Sequence, residues 1–250
     1  MQNVGRVFME MTRYTNLSIS DQQQGGTPPP LEKPCPENGE QIVLPTPDSI
    51  VTQQLDLREA IAIRSSVRTY AKAPLTLHEL AYLLWSTQGI NEIAHPYYTK
   101  RTVPSAGGRH AFETYLLINR VEGIPPGLYR YIAFSHRLIE IDTSSGIADK
   151  VMSACLGQPF VRSSAVAFIW SCVIYRMSWR YSERAYRLVH LDAGHVCQNL
   201  YLAGEQIGCG TCAIGAFDDE EMAQIIGADG TEEFVIYLAT VGKKKKMVGL

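Results

Sequence analysis

Hydrophobic and polar positions follow two different periods along this chain of 250 residues. Several segments repeat apolar residues every three or four positions, as amphipathic helices do, while others are short apolar or alternating runs typical of β-strands. The predicted helices are a weak one within residues 1–20, then 55–63, 76–89, 147–155, 182–206 and 218–226. The predicted strands are 112–118, 127–131, 137–141, 165–175, 211–214 and 233–241.

Local signals fix the ends of some of these elements. Thr76 and Glu79 have the spacing of a capping box, with Thr76 at the N-cap and Glu79 three residues inside the helix. Residues 91–103 are polar and irregular and carry no predicted element. Because helices and strands are mixed without regular βαβ alternation, we predict an α+β fold.

The segment from Asp21 to Asp48 differs from the rest of the chain. It contains seven of the 13 prolines and the pair Gly25–Gly26. Such a composition predicts an extended arm that forms neither helix nor sheet. The apolar residues Leu31 and Ile42–Leu44 would anchor this arm to the surface of the protein. We therefore divide the chain into an N-terminal helix and Pro-rich arm, residues 1–50, and a main domain, residues 51–250.

Composition narrows the possible functions. The formal net charge of −2 gives no reason to expect nucleic acid or a membrane surface as partner. The first twenty residues include Arg6, Glu10 and Arg13, so they do not resemble a signal peptide. Six scattered cysteines do not form a disulfide framework in a chain of this size. We expect a cytoplasmic protein.

Two short segments contain groups that suit a ligand. Residues 64–70 place two arginines and two serines at the predicted end of a helix, and guanidinium groups suit phosphates and polarised carbonyls. The alternative is a solvated helix end. Residues 104–110 include Gly107–Gly108, where the backbone can approach a ligand closely, or where an ordinary turn precedes a strand.

Two further segments invite alternatives. In the helix that contains residues 191–203, His195 and Asn199 are one turn apart, and we expect His195 to be a hydrogen-bonded structural residue. Cys209 and Cys212 form a C-x-x-C motif, which is found in redox dithiols and zinc sites, but we expect both to pack as small apolar residues. No carboxylates form a recognisable metal motif, so no metal is assigned.

Together, residues 64–70, 104–110, 190–210 and 208–217 resemble the FMN-dependent nitroreductase family. More narrowly, they resemble its SagB-type branch, the azoline dehydrogenases that form thiazoles and oxazoles in peptides. The resemblance covers roughly residues 55–242. It implies an antiparallel sheet flanked by helices and an intertwined homodimer with two FMN sites at its interface.

The resemblance also implies roles for individual residues. It assigns the FMN phosphate and ribityl chain to Arg64 and Ser66, and the N1/O2 edge of the ring to Arg68. Ser65, between the first two, is also expected to bind the cofactor. The loop Pro104, Ser105, Ala106 and Gly107 would reach the flavin of the partner subunit, and Gly215 and Ala216 would lie at N5. Lys243 and Lys245 would add positive charge at the phosphate.

Two positions depart from the pattern of these families. Many nitroreductases carry an amide side chain where this chain has Gly108. SagB-type enzymes carry Lys-Tyr where this chain has Arg180 and Tyr181, the pair to which the resemblance gives the catalytic role. Arginine does not release its proton at physiological pH, so Arg180 could orient or stabilise a group but not act as a base.

The function implied is an FMN-dependent oxidoreductase that transfers hydride through flavin N5, from NAD(P)H to a nitro, quinone or enone acceptor. One alternative is a SagB-type dehydrogenase that oxidises peptide azolines. Others are a non-catalytic flavin-binding protein and a thiol redox protein using Cys209 and Cys212. The expected partners are a second copy of the chain and a small-molecule substrate.

Overall fold

The structure is a computed structural model that describes residues 3–35, 41–95 and 98–245. Its helices are α1 Val4–Met11, α2 Leu57–Ile63, α3 Leu77–Gln88, α4 Ile147–Ala154, α5 Phe160–Ser163, α6 Tyr175–Tyr181, α7 Ala185–Gln206 and α8 Asp219–Ile226. Its strands are β1 Gln41–Val43, β2 Ile90–His95, β3 Tyr98–Arg101, β4 Phe112–Ile118, β5 Gly127–Ile132, β6 Arg137–Asp142, β7 Val166–Val173, β8 Cys209–Ile214 and β9 Glu233–Lys243.

One antiparallel sheet forms the centre of the fold. Its strands lie in the order β1-β6-β5-β4-β7-β9-β8, and each neighbouring pair is antiparallel. The predicted α+β class is therefore confirmed, and so is the antiparallel sheet that the resemblance implied. Strand β8 lies at one end of this order, which leaves one of its sides free of a full-length neighbour within the described ranges.

Helices cover both faces of the sheet. Side chains of successive strand residues point to opposite faces, so Leu116 and Leu117 of β4 enter different core clusters. The cluster on one face includes residues of α3 and α7, such as Leu84 and Leu200. The cluster on the other face includes residues of α4 and α8, such as Val151 and Met222. Burial on both faces explains why the central strands are almost continuously apolar.

The predicted capping box of α3 is confirmed. Thr76 accepts a hydrogen bond from the Glu79 backbone N–H at 3.2 Å, and the Glu79 side chain accepts one from the Thr76 N–H at 2.9 Å. Asp56 and Asp218 cap α2 and α8 by accepting backbone hydrogen bonds at 2.8 Å. These caps satisfy N–H groups that have no partner inside the helix.

Two expectations about irregular segments are wrong. Residues 91–103 include the antiparallel pair β2 and β3. This pair is held by backbone hydrogen bonds, which polar side chains permit, so the period-2 signal is missing from the sequence. The arm contains the strand β1, which pairs with β6 at the edge of the large sheet. A strand at the edge of a sheet need be neither long nor apolar, so the composition of this segment did not predict β1.

The arm packs against its own chain. Its Glu32 carboxylate accepts the Ala133 N–H at 2.6 Å, and the Lys33 N–H donates to Glu113 at 2.8 Å. The Arg176 Nε donates to the Pro30 carbonyl at 2.9 Å. A wrapped arm, as expected, is therefore what the described part shows. The division at residue 50 stays a prediction, and residues 1–2 and 36–40 of the arm lie outside the described residues.

The longest helix begins later than the sequence suggested. Residues Ser182–Arg184 form a short 3-10 turn, and α7 runs from Ala185 to Gln206. The preceding helix α6 ends at Tyr181, so Arg180 and Tyr181 lie at a junction between two helices. Within the described ranges, no helix is both long enough and apolar enough to span a membrane.

Candidate cofactor and substrate site

The segment that follows α2 lies against strand β8. Ser66 forms a parallel bridge with Thr211, and the Val67 N–H donates to the Thr211 carbonyl at 2.9 Å. Further along, the Ala71 N–H donates to the Lys243 carbonyl of β9 at 2.8 Å. Residues 64–71 therefore extend the sheet edge and present their side chains from a fixed backbone.

Close packing holds this segment in place. A Cβ built on Gly210 would lie 2.5 Å from the Cβ of Val67, and one built on Gly242 would lie 2.8 Å from the ring of Tyr70. Atoms do not approach so closely without displacement, so both positions require glycine. The Tyr70 hydroxyl donates to the Val67 carbonyl at 2.6 Å, which closes the turn of the segment.

One tyrosine of α7 joins the segment to the end of β8. The Tyr201 hydroxyl lies 3.0 Å from Ser66 Oγ and accepts the Ala213 N–H at 2.9 Å. The Arg64 guanidinium lies over the Tyr201 ring, 5.3 Å from its centroid. Arg64 is half-buried, whereas Ser65 and Ser66 are exposed.

The two arginines of this segment carry charge that their surroundings do not compensate. Arg68 is exposed and lies 5.9 Å from the centroid of the Phe160 ring. Among the residues that the structure describes, neither Arg64 nor Arg68 has a carboxylate oxygen within 4.0 Å. Uncompensated guanidiniums beside serine hydroxyls form a donor set that suits an anion.

Gly215 and Ala216 follow β8 directly and are exposed. The Ala216 carbonyl accepts a hydrogen bond from Gln158 Nε2 at 2.9 Å. Gln158 is two residues from Phe160, the residue beneath Arg68. An open cleft of ≈ 530 Å³ lies next to Gly215 and is bounded on the other side by Ala193 and Gly194 of α7. The structure thus brings Arg64, Ser65, Ser66, Arg68, Gly215 and Ala216 to one edge of the sheet.

The nominated lysines lie at the same end of β9 but differ in their partners. Lys243 forms an ion pair with Glu79 and donates to the Ile207 carbonyl at 3.0 Å. Its charge is therefore already compensated in this chain. Lys245 is exposed, and the last lysine of the run, Lys246, lies outside the described residues.

The loop Pro104–Gly107 lies elsewhere, near the first half of α7. The Ala106 N–H lies 3.3 Å from both carboxylate oxygens of Asp192. Ser105 Oγ accepts the His110 N–H at 2.9 Å. Burial raises the pKa of Asp192, and hydrogen bonds from Ser105 and Ala106 act in the opposite direction.

Arg180 and Tyr181 lie directly against this loop. Gly107 has φ +60°, and a Cβ built there would be 2.6 Å from the Tyr181 hydroxyl and 3.1 Å from Arg180. The glycine therefore permits both the backbone conformation and the contact. Behind the pair, burial and the charges of Arg180 and Arg176 lower the pKa of Arg109 to about 10.

The nominated residues thus form two groups within one chain. The first group contacts α7 at Tyr201 and the second at Asp192. Nine residues of helix separate these positions, or about 13 Å along the axis. Sequence reasoning missed Tyr201 and the positioning contact of Asp192, because neither type nor spacing distinguishes them from other residues of α7.

The two cysteines of the C-x-x-C motif point to opposite faces of the sheet. Cys209 belongs to the core cluster beneath α7, and Cys212 to the cluster on the other face. Positions i and i+3 of a strand are about 10 Å apart, beyond the span of a disulfide. Burial raises the pKa of Cys209 to about 12 and also raises that of Cys212. These features oppose thiol chemistry at this motif.

The prediction for the His195 pair is confirmed for Asn199. Asn199 donates to the carbonyls of Ser86 and Thr102 at 2.9 and 3.3 Å, as expected of a structural residue. His195 is exposed, and its expected role as a hydrogen-bonded structural residue stays a prediction. In the described part of the structure, no group of three or more His, Cys, Asp or Glu side chains is arranged to hold a metal ion.

Sequence comparison gives a family and two relatives. A model of the nitroreductase family matches residues 61–243. A protein of Methanocaldococcus jannaschii, MJ1384, whose own assignment as a nitroreductase is provisional, is 32% identical over 206 residues, 82% of this chain and 98% of that protein. The trifolitoxin-processing protein TfxB of Rhizobium leguminosarum bv. trifolii is 35% identical over 133 residues, 52% of this chain and 36% of TfxB.

Solved structures share the fold. One from Anabaena variabilis, provisionally assigned as a nitroreductase, has a TM-score of 0.69 and 27% identity, over 84% of this chain and 42% of that chain. The NADPH:FMN oxidoreductase of Vibrio harveyi complexed with NAD+ has a TM-score of 0.54 and 14% identity, over 77% of this chain and 70% of that chain. The chain thus spans less than half the length of TfxB and of the Anabaena protein.

Proposed function

Since the chain belongs to the nitroreductase family of oxidoreductases, we propose that it uses FMN to pass a hydride from NAD(P)H to a nitro, quinone or enone acceptor. The observation that carries this proposal is the group at the edge of β8. Arg64 and Arg68 have no carboxylate partner among the described side chains, and they flank Ser66 beside the small residues Gly215 and Ala216.

The donor set fits the proposed cofactor. Arg64, Ser65 and Ser66 would hold the phosphate and ribityl chain, because guanidinium and hydroxyl donors suit phosphate oxygens. Arg68 would face the N1/O2 edge of the ring, where a cation stabilises negative charge. The exposed Gly215 and Ala216 leave room beside the end of β8. Bound FMN would supply the hydride acceptor and donor, N5.

A homodimer is part of this proposal. In one chain the Pro104–Gly107 loop contacts α7 at Asp192, whereas Ser66 contacts it at Tyr201, about 13 Å away along the helix axis. The loop therefore lies apart from the arginines of the first group. A two-fold partner would bring one chain's loop to the other chain's β8 edge. Leu191 of α7 is 62% exposed, an apolar surface that such a contact would cover. The cytoplasmic location stays a prediction.

An absorption spectrum of the purified protein, followed by anaerobic titration with NADH and NADPH, tests this proposal. A flavin spectrum that bleaches on titration supports it and identifies the donor. A colourless protein that takes up no FMN would overturn it. Sedimentation should give twice the 27.8 kDa mass of one chain, and a monomer that retains FMN would contradict the shared site.

A second candidate is azoline dehydrogenation. It is favoured by the match to TfxB, a processing protein, and by the contact of Tyr181 with the Gly107 loop. In this role Tyr181 would handle the proton that is removed as hydride leaves, and Arg180, which stacks 5.6 Å from its ring centroid, would stabilise the phenolate. Bound flavin that an azoline-containing peptide bleaches, and reduced nicotinamide does not, would favour this candidate. Flavin that neither compound bleaches would favour a non-catalytic flavin-binding protein.

A further inference from the structure

A second cleft lies between the N-terminal segment and the end of α6. Its volume is ≈ 500 Å³, which is the size of a site for a small molecule. One wall is formed by residues of the segment 14–23, and the other by Arg180, Tyr181 and Ser182. The cleft therefore opens onto the pair that lies against the Gly107 loop.

The N-terminal wall combines apolar side chains with the polar side chains of Ser18, Ser20, Gln22 and Gln23. It includes Tyr14, Leu17 and Ile19, of which Tyr14 is 68% exposed and Ile19 is 67% exposed. Large apolar side chains with this exposure add to stability only when something covers them. An apolar ligand in the cleft would do so.

This wall is held firmly against the helix junction. The Gln22 N–H donates to the Trp179 carbonyl at 2.8 Å, and Ser18 Oγ lies 2.7 Å from Ser182 Oγ. Ser182 has φ +50° and ψ −142°, a conformation that non-glycine residues seldom adopt. Strained backbone of this kind is often found at functional sites, and Ser182 is one of the residues that line the cleft.

The opposite wall carries an uncompensated positive charge. Arg180 is exposed, and the described residues that line the cleft include no Asp or Glu. Over the described ranges, Arg180 has no carboxylate oxygen within 4.0 Å. Nearby, the Arg184 guanidinium stacks 4.8 Å from the Tyr14 ring centroid, which adds positive charge beside the N-terminal wall.

We propose that this cleft selects acceptors that combine an apolar, aromatic-sized body with an anionic substituent, which Arg180 binds while Tyr14, Leu17 and Ile19 cover the body. The proposal rests on the proposed function and specifies its substrate class. A carboxylate or sulfonate on an aromatic ring matches both walls.

The test compares a charged acceptor with a neutral one of the same shape. The kcat/KM of the FMN-loaded enzyme is measured with the anion 4-nitrobenzoate and with the neutral 4-nitrobenzyl alcohol. We expect the natural sequence to prefer the anion by about tenfold, the effect of one partly exposed ion pair with hydrogen bonds. The ratio of the two values cancels any change that affects both substrates equally.

Three variants locate the preference. Arg180→Gln should bring the ratio close to one by raising KM for the anionic acceptor, and Ile19→Glu should reverse the ratio. Arg6→Gln removes the same charge from an exposed position on α1 outside the cleft, and it should keep the ratio. A ratio near one in the natural sequence would overturn the proposal. The proposal would also be overturned if Arg6→Gln and Arg180→Gln lowered the ratio equally. The preference would then come from long-range attraction between the positive charges of the protein and the anion.

Two further measurements separate this inference from the proposed function. If KM for NADPH rises in Arg180→Gln while the acceptor ratio stays the same, the anion recognised is a phosphate of the donor and the inference is wrong. If neither nitro compound is reduced, calorimetry with the same two compounds still measures the preference. A tighter binding of the anion that Arg180→Gln abolishes would then support the cleft while the reductase proposal fails.

Discussion

At the scale of single residues, a chain of hydroxyl groups orients the proposed phosphate site. The Tyr201 hydroxyl accepts the Ala213 N–H at 2.9 Å and lies 3.0 Å from Ser66 Oγ, a contact in which either oxygen can donate. With an anion bound, Tyr201 would donate to Ser66 Oγ, and the Ser66 hydroxyl would donate to the anion. The ring of Tyr201 also supports the Arg64 guanidinium from below. One buried side chain therefore prepares two of the donors.

Replacing Arg64 tests this site directly. Arg64→Ala should weaken FMN binding by about 2–4 kcal/mol, because two charge-assisted hydrogen bonds to the phosphate would be lost. The dissociation constant is measured by the change in flavin fluorescence on titration. Arg58→Ala is the matched control, since it removes an exposed cation from α2. An Arg64→Ala protein that retains FMN as tightly as the control would exclude this phosphate site.

His110 predicts how stability depends on pH. Burial lowers its pKa from 6.5 to about 3, and the charges of Arg101 and Arg109 act in the same direction. The folded chain therefore binds fewer protons than the unfolded chain between these values. The contribution of His110 to the free energy of unfolding is fully present above pH 6.5 and is lost as pH falls toward 3. The loss is at most about 1.4 kcal/mol per pH unit.

In the variant His110→Asn, the free energy of unfolding should depend less steeply on pH below 6.5. Asparagine tolerates the φ of +43° at this position and does not titrate. Denaturant unfolding at pH 7, 6 and 5 gives the free energies for comparison, and His78→Asn, which changes an exposed histidine, serves as the control. If the difference between His110→Asn and the natural sequence stayed constant with pH, burial of a neutral imidazole would not be the cause.

At the scale of elements, α7 and β8 together determine where the ligand groups lie. Helix α7 has 22 residues and contacts the loop near its first half and the Arg64–Tyr70 segment near its second half. Strand β8 holds the same segment through Gly210, whose lack of a side chain admits Val67. The register of this contact fixes the height of Ser66 relative to Gly215.

Gly210→Ala should therefore displace the segment. The added Cβ would lie 2.5 Å from that of Val67, and relief requires a shift of the backbone that carries Ser66. We expect a loss of about 1–3 kcal/mol in stability together with weaker FMN binding. Thermal unfolding and flavin titration measure the two effects.

The double variant Val67→Ala/Gly210→Ala provides the decisive comparison. Removal of the valine methyl groups makes space for the new Cβ and should restore part of the FMN affinity. Gly146→Ala, where a Cβ meets nothing within 4 Å, is the neutral control. If the double variant bound FMN no better than Gly210→Ala, the close contact would not be what places Ser66.

At the scale of the whole molecule, the N-terminal arm is part of the folded unit. Glu113 of β4 accepts hydrogen bonds from Arg176 Nη2 at 2.6 Å and from the Lys33 N–H at 2.8 Å. The Lys33 side chain forms an ion pair with Glu233 of β9 at 2.5 Å. These contacts link the arm, two strands and α6 in one buried polar network, in which Glu113 and Arg176 are each 2% exposed.

Glu113→Ala should destabilise the protein by about 3–5 kcal/mol, because it leaves the Arg176 charge buried without its partner. It also removes the acceptor of the Lys33 N–H, so a glutamate-specific protease should cleave the bond between Glu32 and Lys33 faster than in the natural sequence. Denaturant unfolding and the rate of cleavage are measured on the same sample. Glu92→Ala, which breaks an exposed pair with Lys100, should cost under about 1 kcal/mol. Equal costs in the two variants would mean that the network does not hold the arm.

The sequence by itself determined the elements and much of their chemistry. Periodicity and capping signals lie within a few residues of one another, so α3 with its Thr76–Glu79 box and the strands β4 to β7 could be predicted locally. The resemblance to the family likewise rested on short motifs, within residues 64–70, 104–110 and 190–217. The edge strand β1 and the pair β2–β3 were not predicted, because backbone hydrogen bonds between strands place few requirements on the type of side chain.

Only the tertiary structure decided which of these residues meet. Ser66 and Ala213 are 147 positions apart in the chain, yet both bond to Tyr201 because the sheet order places β8 at the edge where the segment lies. Helices packed on both faces of the sheet bury Cys209 and Cys212 in different clusters, and packing of the N-terminal segment on α6 brings residues 14–23 to Arg180. Such contacts depend on how all the helices and strands pack together, and this packing cannot be inferred from any short segment of the sequence.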